Sequence, residues 1–177
     1  MKRLLAVIGL MLALAVPAPA SASDDFSILP LVSPYFRTGF GAYRSTACPC
    51  FDRSTWNFDL GANLRWHRLI SVDGEYRYGT ILLGGNFPFS GYAFGLRSAL
   101  TPQSERWWDE FYLRAGLGWL SIMGTRDRSY MGVYLHPGWA YQVFSLVHLE
   151  TELSLSYYFG DMEHLNVGFR TGVRIGF

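Results

Sequence analysis

The sequence predicts an all-β chain whose eight strands close into an antiparallel, up-and-down transmembrane barrel. Three observations predict it. Apolar and polar residues alternate at a period of two in eight separate runs, with no helical period of comparable length among them. The polar face of those runs carries glycine, arginine, aspartate and glutamate, and no lysine. Finally, the apolar stretch at the start of the 177-residue chain reads as a secretory leader, which puts the rest outside the cytoplasm.

The leader is expected over residues 1–22. Lys2 and Arg3 form its positive end, Leu4 begins its apolar run, and Ala20-Ser21-Ala22 supplies a small-residue cleavage site. An uncleaved anchor is the other reading of this segment, disfavoured by its closing Pro17 and Pro19. Residues 23–32 are expected to be a short periplasmic lead-in, and residues 33–177 the barrel.

The first run, 35–43, points Phe36, Thr38, Phe40 and Ala42 one way and Arg37, Gly39 and Gly41 the other. In 55–65, Trp56, Phe58, Leu60, Ala62 and Leu64 oppose Asn57, Asp59, Gly61, Asn63 and Arg65. The third run, 70–78, sets Ile70, Val72, Tyr76 and Tyr78 against Ser71, Asp73, Glu75 and Arg77. The fourth, 91–100, sets Tyr92, Phe94, Leu96 and Leu100 against Gly91, Gly95 and Arg97. In 110–121, Phe111, Leu113, Ala115, Leu117 and Trp119 oppose Tyr112, Arg114, Gly116 and Gly118. The sixth, 130–141, is broken by His136-Pro137-Gly138. The seventh, 146–158, sets Val147, Leu149, Thr151, Leu153, Leu155 and Tyr157 against His148, Glu150, Glu152 and Ser154. The chain ends on HLNVGFRTGVRIGF, with Leu165, Val167, Phe169, Thr171, Val173, Ile175 and Phe177 on one face and glycine and arginine on the other.

A soluble sandwich alternates too, but it shows its polar face to water and favours lysine and short polar groups there. Here five acids (Asp59, Asp73, Glu75, Glu150, Glu152) share that face with seven arginines (Arg37, Arg65, Arg77, Arg97, Arg114, Arg170, Arg174). A narrow interior accounts for the mixture, because glycines leave room and opposite charges pair across a lumen. Runs of 9 to 14 residues also match the roughly 9–11 that cross a bilayer at a tilt. Closure follows, since hydrocarbon leaves no other way to satisfy the backbone groups of a spanning sheet.

Loops are expected at 44–54, 79–90, 122–129 and 159–163 on the external side, and turns at 66–69, 101–109 and 142–145 on the periplasmic side. Trp107 and Trp108 in the long turn suit an interfacial aromatic belt, as do Tyr35, Trp56, Trp66, Tyr141 and Tyr157. Without its leader the chain has 13 arginines against 14 acids, so a basic block for nucleic acid is missing.

The terminal strand, with Phe169, Val173, Ile175 and Phe177, resembles the β-signal of bacterial outer-membrane proteins. The pattern of residues 33–177 is similar to the small eight-stranded outer-membrane barrels, which include the outer-membrane protein A transmembrane domain, outer-membrane protein X and the opacity-type proteins. The resemblance implies a place in the bacterial outer membrane with both chain ends in the periplasm. It implies reading of the last strand by the barrel-assembly machinery, and contact with outer-membrane lipid and lipopolysaccharide. The family spans adhesins, structural proteins and lipid-modifying enzymes, so the fold does not fix an activity.

The candidate chemistry is thin. An eight-stranded barrel is wide enough only for its own side chains, so the lumen charges read as a packed, ion-paired plug in preference to a small pore. Cys48 and Cys50, placed in the first loop, offer a strained disulfide, a redox or partner-linking role, or two ligands of an incomplete thiolate site. His136 and His148 are expected to point inward with Glu150 nearby, as lumen fillers or as a hydrolase's base and orienter. Lipid A deacylases among such barrels carry a His-x-Ser pattern, which is lacking at His136, His148 and His164. The expectation is a structural or surface-interaction protein without catalytic residues, metal or cofactor. Arg44, Arg53, Arg126 and Arg128 are its candidates for lipid phosphates.

Overall fold

The computed structural model describes residues 26–46, 48–67, 69–82, 86–100, 110–123, 128–144 and 146–176; at 26–30 and 48–52 it describes the backbone alone. Alternation of β-branched, aromatic and small residues gives eight strands: β1 Phe26–Ser45, β2 Cys48–His67, β3 Ile70–Leu82, β4 Asn86–Ala99, β5 Glu110–Ile122, β6 Arg128–Phe144, β7 Val147–Phe159 and β8 His164–Ile175. Each pairs antiparallel with its neighbour in sequence, and β8 returns to β1, giving a closed barrel. That closing seam runs from Tyr35 opposite Arg174 to Ser45 opposite His164. Closure leaves no free sheet edge along the paired length.

The strands are longer than the alternating runs. β1 starts at Phe26, inside the stretch expected as a lead-in, and β2 starts at Cys48. The expected loop at 44–54 is therefore corrected to a tight connection, with Ser45 paired to Cys48 and most of the stretch in strand. Likewise β3 and β4 extend into 79–90, where Leu82 pairs with Asn86. Cys48 and Cys50 lie on the backbone of β2, not in a loop, and their side chains fall outside the described residues. So do the leader at 1–22, Trp107, Trp108, Arg126 and Phe177. The turns at 66–69 and 142–145 shrink as β2 and β6 run on to His67 and Phe144. β6 runs unbroken through His136-Pro137-Gly138, with its outward Pro137 contributing no N–H.

Inward positions are filled by pairing large against small. Tyr35 lies across from Gly61, Tyr112 from Gly138, Tyr134 from Gly116 and Tyr158 from Gly132. A β-carbon at Gly61 would sit 2.4 Å from the Tyr35 ring, and one at Gly138 would sit 2.4 Å from that of Tyr112. Tyr35 and Tyr112 therefore lie over the wall where their partners have no side chain, and Tyr134 and Tyr158 reach one strand further, over Gly95 and Gly118, so that rings over glycines fill the interior. Tyr35 is 2 % exposed and belongs to this interior, not to the surface belt expected of it. Its place is set by parity, because it shares a face with Arg37 and Gly39.

Candidate functional site

The inward alternation of every strand brings the charged residues together in the middle and lower lumen, where the short turns lie. Glu150 of β7 sits among three arginines: Arg37 Nη2 at 2.5 Å, Arg97 Nη1 at 2.6 Å and Arg174 Nε at 2.7 Å. One level nearer the turns, Glu110 accepts from Arg97 at 2.9 Å and Arg174 at 3.2 Å, with Arg65 at 4.0 Å. One level the other way, Glu75 meets Arg77 at 2.6 Å, Arg114 at 2.7 Å, Arg170 at 3.3 Å and Arg37 at 3.5 Å. Glu152 lies 3.1 Å from Arg114 and 3.3 Å from Arg170. Asp59 joins Arg77 at 3.1 Å and Arg170 at 3.0 Å, and Asp73 pairs with Arg114.

All twelve charged residues that the sequence assigned to the lumen are thus brought into one lattice. Sequence reasoning missed Glu110, the sixth carboxylate, although it shares its parity with Tyr112 and Arg114. Tyrosines tie the lattice to the wall. The Tyr35 hydroxyl donates to Asp73 at 2.7 Å and accepts from Arg114 at 3.1 Å. The Arg37 guanidinium lies 3.8 Å over the Tyr35 ring, and that of Arg97 3.7 Å over Tyr112. Charges this deeply buried persist only because each meets several partners; removing one partner strands the others.

His136 is fully enclosed. Its Nε2 lies 3.3 Å from Ser156 Oγ and 3.4 Å from Ser154 Oγ, and its Nδ1 lies 3.6 Å from Glu152. A hydroxyl, an imidazole and a carboxylate therefore meet, but Arg170 already donates to Ser154 Oγ at 2.7 Å and the ring packs on Tyr134. The His136 side chain is 0 % exposed in this arrangement. His148 does not join it: it pairs across the wall with Gln142, six residues along β7 from Ser154. Among the described residues no group of three metal-binding side chains forms.

Beyond the lattice, toward the loops, the lumen turns apolar. Tyr43, Ile81, Phe89, Leu120, Tyr130 and Tyr158 form a buried cluster, with Ile122 and Met162 packed against it. The sequence reading missed this cap, because it placed Ile81 and Phe89 in a loop.

The outer wall has the opposite character. On the strands from Val32 of β1 to Ile175 of β8, the outward positions are apolar, aromatic or neutral, and Arg44 at the rim is the one charged side chain at an outward strand position among the described residues. Phe40 is 69 % exposed and Phe94 63 %. Aromatic rings tile this surface in cross-strand pairs, such as Phe40 with Trp56 at 6.1 Å and Tyr76 with Tyr92 at 5.2 Å. Even the Trp56 indole N–H is satisfied within the wall, donating to Thr38 Oγ1 at 3.2 Å.

A closed eight-stranded meander, charged within and apolar without, is the fold of the small outer-membrane β-barrels. Solved structures bear this out. Neisserial surface protein A (NspA) superposes with a TM-score of 0.65 at 16% identity, over 82% of this chain and 97% of that one. The N-terminal β-barrel domain of Pseudomonas aeruginosa OprF gives a TM-score of 0.52 at 13% identity, over 81% of this chain and 97% of that one. Ail, the attachment invasion locus protein of Yersinia pestis, solved in complex with the heparin analogue sucrose octasulfate, gives 0.52 at 13%, over 84% of this chain and 100% of that one. No family model matches the chain, and no curated protein matches it in sequence. At these identities the likeness is one of fold.

Proposed function

We propose that the protein is an integral outer-membrane barrel with a structural or surface-interaction role. Its leader is removed at residue 22, its turns and termini face the periplasm, and its loops face the outside. The uncharged outward wall carries this reading. In water, an exposed sheet face of this length rich in phenylalanine, tryptophan, tyrosine and leucine drives association. In hydrocarbon it is the required surface, and closure of the sheet pairs the strand backbones with one another along the barrel wall.

On this reading the lattice and the aromatic cap fill the lumen and stiffen the barrel, so no ion path runs through it. The wall contacts outer-membrane lipid, and the loop-bearing rim with Arg44 and Arg128 contacts lipopolysaccharide. The C-terminal strand, through Phe169, Val173, Ile175 and Phe177, is the assembly signal read by the barrel-assembly machinery. Kinship with the opacity-type proteins is part of the same proposal.

Fractionation of cells expressing the full chain, with heated and unheated gel samples, tests it. The expected result is an outer-membrane band that shifts mobility on heating. A band confined to the soluble fraction refutes the reading. Planar-bilayer recording tests the filled lumen, with steady single-channel steps as the refuting result.

A further inference from the structure

Each of the seven lattice arginines has a carboxylate oxygen within 4.0 Å. Arg53, which also points inward but at the loop-bearing end of β2, has no such partner among the described residues. It is half-buried, and its Nε is buried without a hydrogen-bond acceptor. Arg53 lies directly across from Tyr43 on β1, and Tyr43 is hydrogen-bonded to Nδ1 of His164, at the start of β8. In the tautomer in which that hydroxyl donates to Nδ1, the imidazole carries its proton on Nε2. His164 is 3 % exposed, and its Nε2 is buried with no partner.

In that tautomer two N–H donors stand without described acceptors at the loop-bearing ends of β2 and β8, on either side of β1, and one of them belongs to a guanidinium. The walls around them are aromatic: Tyr43 stacks on the imidazole at 5.4 Å and Tyr130 meets it edge-on at 4.2 Å. Among the described residues no carboxylate oxygen lies within 4.0 Å of the Arg53 guanidinium or the His164 ring. Asp161 and Glu163 lie exposed on the β7–β8 connection, outside that distance. That connection is clipped to the β1–β2 turn, Thr46 N donating to Glu163 O and Glu163 N to Thr46 Oγ1, both at 3.1 Å. Buried donors left unmade are costly, and a guanidinium beside an N–H in a water-poor site is suited to an oxyanion.

We propose that Arg53 and His164 form an oxyanion site at the loop-bearing mouth, which takes a phosphate group. The inference deepens the surface-interaction reading and rests on it for the direction the mouth faces. The phosphate arrives either as a free ion or on a lipid headgroup.

The test uses the full barrel folded in detergent micelles, following the His164 ring nitrogens by NMR while inorganic phosphate is added against chloride at matched ionic strength. A parallel arm uses nanodiscs containing diphosphoryl lipid A or its dephosphorylated form. A saturable shift of Nε2 with inorganic phosphate supports the free ion. A shift with diphosphoryl lipid A alone supports the headgroup. In Arg53→Gln the affinity should fall about tenfold or more, since a charge-assisted bond is lost. His164→Gln, followed through the Arg53 Nε resonance, checks the second donor and guards against misfolding of the first variant. No shift in either arm, or an unchanged response in Arg53→Gln, overturns the site. The micelle arm stands apart from cell fractionation, so failure of the outer-membrane reading and failure of this site are told apart.

Discussion

Tyr35 and Gly61 face each other on β1 and β2, and the phenol ring occupies the volume in which a side chain at position 61 would lie, 2.4 Å from its β-carbon. The same hydroxyl holds Asp73 and receives Arg114, so the packing of one ring against one glycine also aims two charges of the lattice. Gly61→Val should push the ring from the wall and disturb both contacts. Overpacking of this kind costs about 1–3 kcal/mol. The urea unfolding midpoint of the barrel in lipid vesicles should fall, whereas Ala62→Val on the outward face should leave it nearly unchanged. Equal midpoints for the two variants would count against the tyrosine–glycine packing.

Glu150 is the carboxylate with the shortest set of guanidinium contacts, to Arg37, Arg97 and Arg174. Glu150→Gln keeps the shape and removes the charge, leaving three buried cations short of a partner. By analogy with breaking buried ion pairs, the loss should reach about 3–5 kcal/mol. Arg65, 4.0 Å from Glu110 and less deeply buried, offers the contrast. Arg65→Gln should cost about 1 kcal/mol or less. The measurement is again unfolding in urea, and reversal of that order would refute a lattice centred on Glu150.

These contrasts also mark what was legible in the chain. Alternation assigns faces, because a period of two leaves a residue only two ways to point, and Arg37, Asp59, Glu75 and Glu152 all reach the lumen by parity alone. Strand ends carry no such signal. The segment FSILPLV is apolar on both faces, and NFPFS holds a proline, so pairing in those stretches depends on the neighbouring strand and not on local pattern. Glu110 was missed because it opens its run, where a face has not yet been established. The cap was missed for a different reason: Tyr43, Ile81, Phe89, Leu120 and Tyr130 come from five strands, and only closure of the barrel gathers them. Which carboxylate meets which arginine depends on axial level, and alternation is blind to level.

The cap and the lattice act in series. Phe89→Ala should cost about 3–5 kcal/mol, as large-to-small changes in a packed cluster do. It should nevertheless open no channel, because Arg77, Arg170 and Asp59 still fill the section beneath. Planar-bilayer recordings of the wild type and of Phe89→Ala should both be silent. Steady conductance in Phe89→Ala alone would make the cap the sole barrier and would leave the lattice porous.

The outward wall makes the most direct prediction about the solvent of this protein. Phe94 stands mid-strand on β4 with 63 % of its surface exposed, between outward Tyr92 and Leu96. In water an arginine there would be harmless or helpful, since it would cover less apolar surface. At the middle of a bilayer it should cost about 2–4 kcal/mol, because hydrocarbon cannot solvate a guanidinium. Phe94→Arg should therefore lower the unfolding free energy in phospholipid vesicles by that amount and slow insertion, while Phe94→Leu should change little. The penalty should shrink toward the rim, where Arg44 is already tolerated at the end of β1. A flat profile of arginine cost along β4 would mean that the wall does not face lipid.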